Sequence, residues 1–185
     1  MSNPIETHYG VKKISATNWQ QPDKATMLLL QITAVAKTEK EWVEAFLRPV
    51  LNPTVPKEIA QLLEVARGAM ILSWYFYPLS TLGAEQCWRI MDTGVRLRCD
   101  QAGISTKTTI KRGRLKGTII DTSFKENVEA LVKHGIISSQ LQSCWDAVRN
   151  LRNSASHPAR QSILDSWQAL DQLNNCVMFL NGLFP

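Results

Sequence analysis

Apolar residues recur at helical spacing through most of the chain after residue 56. Between Lys57 and Tyr77 they recur every three or four positions and predict a helix that is buried on most sides. This apolar set comprises Ile59, Leu62, Leu63, Ala66, Met70 and Trp74. Pro78 has no backbone N–H and predicts a bend, followed by a second helix over Thr81–Gln101.

Helix starts are predicted where Ser or Thr precedes an acidic or amide residue by three positions, since each side chain of such a pair caps a free backbone N–H. The pairs are Thr38 with Glu41, Ser123 with Glu126, Ser139 with Gln142, and Ser162 with Asp165. A helix is also predicted within Asp23–Lys37, although strand alternation fits that segment too. We predict no strand after residue 56. The expected fold is all-α, with an N-terminal extension over 1–56, whose structure the pattern does not define, and a bundle of long antiparallel helices over 57–185.

Composition bounds the class of protein. With 185 residues, 44% of them hydrophobic, the chain can fill one core. No apolar run approaches eighteen residues, and the N-terminus has no charged start followed by an apolar block, so we expect a cytoplasmic protein with no membrane partner. The cysteines are far apart and form no Cys-x-x-Cys pair, which favours four buried free thiols and gives no metal site or cofactor. The six tryptophans are expected mostly in the core.

One segment accounts for the net charge. The chain has 21 basic and 16 acidic residues, and residues 104–117 hold five of the cations and no acid, so the remainder balances at 16 against 16. These cations are Lys107, Lys111, Arg112, Arg114 and Lys116. We expect a loop that contacts phosphates, as in a nucleic-acid substrate. A solvated loop without a partner fits the same composition, because no aromatic residue is interleaved.

The candidate chemistry lies in residues 146–160, DAVRNLRNSASHPAR. Arg149, Asn153 and His157 follow one another at four-residue steps and share one helical edge. Arg152 and His157 are five apart, so a regular helix would point them about 140° away from each other. The proline after His157 disfavours helical backbone there, so we expect the helix to end and the imidazole to leave the helical direction.

These groups suit a phosphodiester substrate. A guanidinium holds nonbridging phosphate oxygens, and a neutral imidazole accepts a proton near pH 7. In RNA the 2′-OH is the available nucleophile, so a base that deprotonates it and an Arg that stabilises the charge on phosphorus would cleave the strand without a metal.

The RNSASHP segment, followed by a final amphipathic helix ending in MFLNGLF, resembles the HEPN family, whose signature is Arg, a polar residue that is often Asn, and a His after four to six residues. The stretch WYFYPLSTLGAEQCWRIMDTGVRLR is similar to the first core helix pair of bacterial HEPN proteins. The resemblance covers roughly residues 58–184. It implies a helical bundle that dimerises with the motif helices face to face, and a metal-independent endoribonuclease of a toxin–antitoxin or defence system.

Carried onto this chain, the resemblance implies catalytic positions for Arg152 and His157 and the polar position for Asn153. Arg149 and the basic segment would bind RNA, and an antitoxin or defence partner is implied. Glu85 is a possible supporting carboxylate, although its spacing from Arg89 also fits a surface ion pair. Two alternatives remain open: a catalytically silent HEPN module that binds RNA or serves as a dimeric adaptor, and a helical interaction protein in which the motif is coincidental.

Overall fold

The computed structural model describes residues 11–33, 35–155 and 164–185. In these residues the chain forms seven α-helices and a small antiparallel sheet, which confirms the all-α class. The helices are α1 (Lys24–Thr33), α2 (Glu39–Leu47), α3 (Lys57–Leu72), α4 (Leu79–Gln101), α5 (Phe124–Lys133), α6 (Gln142–Ala155) and α7 (Ser166–Leu183). The strands are β1 (Lys107–Thr109) and β2 (Ile119–Asp121), and a 3₁₀ turn over Ser139–Leu141 leads into α6.

The capping signals locate the helix starts well. The Ser123 hydroxyl accepts from the Glu126 N–H while Glu126 accepts from the Ser123 N–H, so the predicted capping box of α5 is confirmed. Thr38 caps α2, although Glu41 bonds the N–H of Lys37 and not that of Thr38. Two other starts are shifted.

The 3₁₀ turn before α6 is capped by Ser138, one residue before the predicted Ser139. Asp165 caps α7 together with Gln168, whereas the predicted Ser162 lies outside the described residues.

The prediction of a helix through Tyr77 is wrong at its end. α3 stops at Leu72, and a turn over residues 73–78 leads directly into α4 at Leu79, because Pro78 fits a helix start.

The prediction that no strand follows residue 56 is also wrong. β1 and β2 pair with Lys107 opposite Asp121, and the ladder continues outward where the Ile110 N–H donates to the Thr118 carbonyl (3.0 Å). Two runs of Thr and Ile favour extended backbone on both sides of the tip. The tip turns through Gly113 and Gly117, whose φ angles are 86° and 91°. We call residues 106–122 the basic hairpin.

α4 is the central helix of the bundle. It packs against α3, α5, α6 and α7, and its buried residues lie on several sides of the helix. It crosses α3 tightly at Gly83. A Cβ atom at this position would lie 2.6 Å from Met70 Cγ and 2.8 Å from the Ala66 carbonyl oxygen. Only a glycine therefore allows the two helices to cross at this distance.

The segment before residue 57 contributes to the same core. Trp42 and Phe46 of α2 are almost fully buried, and the Trp42 indole donates to the carbonyls of Met70 and Ile71 at the end of α3.

Three cysteines are buried, but Cys144 is exposed, which corrects the prediction of four buried thiols. Likewise Trp19 and Trp167 are 54% and 60% exposed and lie outside the core.

We predict that Gly83→Ala lowers the free energy of unfolding by about 1–3 kcal/mol, because its methyl group would press on the α3 backbone. Gly68→Ala in α3 is the matched control. Its Cβ would meet no atom within 4 Å, so the better helix propensity of alanine should stabilise the protein by about 0.5–1 kcal/mol. Urea unfolding measures both, and equal shifts of the same sign would contradict this account of the crossing.

Candidate functional site

Arg152 of α6 forms an ion pair with Asp92 of α4. Arg152 Nη2 lies 3.1 Å from Asp92 Oδ2. The Asp92 side chain is only 14% exposed, whereas that of Arg152 is 36% exposed. The Asp92 carboxylate is therefore less accessible than the Arg152 side chain, which a solute can still contact.

Arg96 contacts the same carboxylate from one helical turn further along α4. Its Nε lies 3.6 Å from Asp92 Oδ1, too far for a hydrogen bond but close enough for an ion pair. Arg96 also reaches the basic hairpin, with Nη1 3.5 Å from Asp121 Oδ2 and Nη2 donating to the Thr122 carbonyl at 3.4 Å. Charges of alternating sign thus run from α6 across α4 to β2. We call Arg152, Asp92, Arg96 and Asp121 the charge chain.

The partial burial of Asp92 explains why two arginine side chains lie beside its carboxylate. A carboxylate that has lost most of its water is costly unless cations or donors replace that water. Asp92 Oδ1 is fully buried and accepts no hydrogen bond from any described residue, so its compensation there is the Arg96 charge. Asp92 therefore needs both arginines beside it.

The other predicted residues of α6 have different surroundings. Arg149 pairs within its own helix, with Nη1 3.4 Å from Asp146 Oδ1, and it lies 3.4 Å from the side-chain oxygen of Asn150. Asn153 is exposed. His157 lies outside the described residues, so the predicted helix end at that residue and its distance from Arg152 stay predictions.

Glu85 lies seven residues before Asp92, which places it on nearly the same face of α4, about 10 Å away along the axis. It is half-buried, and Arg89 is exposed. In the described part of the chain the two side chains form no ion pair. The structure thus gives Glu85 no contact with Arg152, and its supporting role stays a prediction.

α4 and the turn before it fix the chain on both sides of residues 156–163. On one side stands the Arg152–Asp92 pair. On the other, the Leu164 N–H donates to Thr81 Oγ1 at 3.0 Å, and the Tyr77 hydroxyl donates to the Leu164 carbonyl. Thr81 and Asp92 are eleven residues apart, about 16 Å along the helix. Burial, reinforced by nearby carboxylates, raises the pKa of Tyr77 to about 12, so this hydroxyl stays a donor at neutral pH.

The five predicted phosphate-binding cations all lie on the basic hairpin. Lys107 is on β1, opposite Asp121, and the other four occupy the exposed tip between Ile110 and Gly117. The Gly117 N–H donates to the Ile110 carbonyl at 2.9 Å and closes this tip. The cations are therefore presented on a hydrogen-bonded ribbon, and the charge chain connects the base of that ribbon to Arg152.

Within the described residues, no group of three or more His, Cys, Asp and Glu side chains is placed to hold a metal ion. None of the helices described is both long and apolar enough to cross a membrane.

Residues 99–182 match a family described as a domain of unknown function, DUF4145. The match spans somewhat less than half of the chain. It contains the basic hairpin and Arg152 but begins after Asp92 and Arg96. No curated protein and no solved structure gives a significant match to the chain.

Sequence reasoning missed Asp92 and Arg96 as site residues. The signal was present, since both belong to a line of polar residues that includes Glu85 and has apolar neighbours on the same helix. What spacing could not provide is the contact with Arg152, because it joins residues 60 positions apart.

We predict that Arg152→Met lowers the free energy of unfolding by about 1–2 kcal/mol, because Asp92 loses its nearest cation while staying mostly buried. Arg149→Met is the matched control on the same helix. Its partner Asp146 is 39% exposed, so its loss should cost less than about 0.5 kcal/mol. Urea unfolding of both variants decides the matter, and losses of equal size would contradict a special role for the Arg152–Asp92 pair.

Proposed function

We propose that this protein is a metal-independent endoribonuclease of HEPN type. The observation that carries the proposal is the position of Arg152: its side chain is about one-third exposed, is held by a mostly buried carboxylate, and is connected through Arg96 to a hairpin with five cations. A fixed cation beside a basic ribbon suits a phosphodiester chain, where the ribbon binds the backbone and the fixed cation acts on one phosphate.

In the proposed reaction His157 accepts the proton of the ribose 2′-OH, and the 2′-oxygen attacks the adjacent phosphorus. The bond from phosphorus to the 5′-oxygen breaks, and that oxygen takes up a proton, which leaves a 2′,3′-cyclic phosphate and a 5′-OH end. Arg152 stabilises the negative charge that builds on the nonbridging oxygens. Asn153 and Arg149, one turn apart on α6, would contact the same nucleotide.

Because the HEPN resemblance implies facing motif helices, the proposed enzyme is a homodimer whose cleft contains two copies of the motif. Its place in a toxin–antitoxin or defence system, with an antitoxin or other partner, is part of the same proposal and rests on that resemblance alone.

A second candidate is a catalytically silent RNA-binding or adaptor module. The Arg152–Asp92 pair is the observation that favours it, because the same contact also fastens α6 to α4. In this function the hairpin would still bind RNA, but no strand would be cut. The two candidates therefore differ in cleavage and agree in binding.

We predict that His157→Ala lowers RNA cleavage at least about 100-fold, the usual contribution of general acid–base catalysis. The assay contains EDTA and follows a panel of labelled single-stranded and structured RNAs on denaturing gels. His134→Ala is the control. Its imidazole is exposed and shares a hydrogen bond with the Ala130 carbonyl near the end of α5, so this variant should retain full activity.

Two results would contradict the nuclease. Equal cleavage by wild-type protein and the His157→Ala variant would assign the activity to another site or a contaminant. Binding without cleavage across the panel would favour the silent module.

We also predict that the hairpin governs the salt dependence of RNA binding. Each phosphate contact on a single strand contributes about −0.7 to the slope of log K against log [salt], so replacing Lys111 and Lys116 with Gln should reduce the slope by about 1.4. The matched control replaces Lys40 and Lys57, which are exposed on α2 and α3. Fluorescence anisotropy at several salt concentrations measures the slope for both double variants, and an equal change of slope in the two would contradict a special role of the hairpin in binding RNA.

A further inference from the structure

Asp92 is the only member of the charge chain that two arginines share, and these arginines come from different helices. We propose that Asp92 is a positioning residue, which holds Arg152 and Arg96 together as one phosphate-binding pair between the basic hairpin and the α6 motif. The inference rests on the proposed function, because it concerns how the same site holds RNA. It adds Arg96 to the binding surface and gives Asp92 a role that no spacing argument assigned.

The difference in exposure supports this arrangement. The Asp92 side chain is 14% exposed, whereas those of Arg96 and Arg152 are 34% and 36% exposed. The anion therefore lies on the protein side and the two cations lie toward solvent. An incoming phosphate would meet Arg96 and Arg152 before Asp92, while Asp121, which is 68% exposed, stands on the hairpin side of Arg96.

The contacts of Arg96 support its part in the pair. One end of its guanidinium reaches Asp121 Oδ2 at 3.5 Å, while Nη2 donates to the Thr122 carbonyl at the base of the hairpin. Arg96 therefore stands between the hairpin and Arg152. A strand bound along the hairpin and extended to Arg152 would pass this cation.

Asp92 offsets two costs of such a pair. Two guanidinium groups brought close together repel each other, and two long side chains lose rotamer freedom when they are fixed. A shared, mostly buried carboxylate opposes both effects before RNA arrives, so less order must be imposed on binding.

Charge and position affect different kinetic constants in Asp92→Asn, which separates this role from simple electrostatics. The variant gains one net positive charge beside the site, so attraction for RNA alone would leave KM unchanged or lower it. Loss of positioning lowers kcat, because the Arg152 guanidinium is no longer held where negative charge develops in the transition state.

The test compares wild-type protein, Asp92→Asn, Arg152→Gln and the double variant for cleavage of labelled RNA in EDTA. We expect Asp92→Asn to lower kcat by about 10- to 100-fold, the range for a hydrogen bond to a charged group, with KM unchanged or lower. We expect the double variant to be no slower than Arg152→Gln, because Asp92 acts through that arginine. Asp171→Asn is the control, an exposed Asp on α7 whose partner is Asn175 of the same helix, and it should match the wild type.

The outcomes separate the two claims. If the wild type cuts RNA and Asp92→Asn keeps kcat within twofold, the positioning role is wrong while the nuclease stands. If the wild type cuts no RNA, the nuclease fails, and the same four proteins are compared for their dissociation constants with a fluorescent single-stranded RNA. Additive effects of the two substitutions would then overturn the pair, and non-additive effects would support it.

If Asp92→Asn does not fold, Asp92→Glu replaces it in every comparison. This charge-preserving variant should recover part of the lost kcat, and a loss as complete as that of Arg152→Gln would overturn the inference.

Discussion

The site depends on a carboxylate that the fold removes from most of its water. α4 packs against four other helices, and Asp92 lies on it with 14% of its side chain exposed. A nearly buried anion is tolerated only where cations stand beside it, and here these cations are Arg152 and Arg96. The same requirement that holds α6 on α4 therefore also fixes the direction of two guanidinium groups. Stability and the proposed chemistry thus share one contact.

The position of α4 in turn depends on backbone fit. Gly83 allows α3 to cross α4 so closely that even a methyl group would meet the Ala66 carbonyl, and later turns of α4 contact α6 through Asp92 and the hairpin through Arg96. The turn before α4 and its first turn also fix the chain at Leu164, where it enters α7. One helix thus supports each described part of the candidate site.

Much of the fold could be predicted from signals that depend on residues close together in the sequence. Helical periodicity and the Ser123–Glu126 capping box located the helices, because both depend on contacts within four residues. The hairpin was missed since its strands are only three residues long and lie among basic residues that resemble a solvated loop. The end of α3 was misplaced because apolar residues continue at helical spacing after the backbone has turned at Ser73.

The candidate site was predictable only in part, because sequence patterns report contacts between residues that are close together along the chain. The α6 residues and the cations of the hairpin follow from composition and spacing. Asp92 does not, because its importance comes from burial and from a partner 60 residues away. A charged residue beside apolar neighbours on the helix was the available signal. It indicates that a partner is required, but it does not identify that partner.

The most direct test of the central claim is the chemistry of the RNA ends. Attack by the 2′-OH leaves a 2′,3′-cyclic phosphate and a 5′-OH, so mass spectrometry of fragments made by the wild-type protein in EDTA should find these two ends, and fragments should be nearly absent with Arg152→Gln. Fragments with 3′-OH and 5′-phosphate ends, or the same cyclic ends at an undiminished rate without Arg152, would contradict the account.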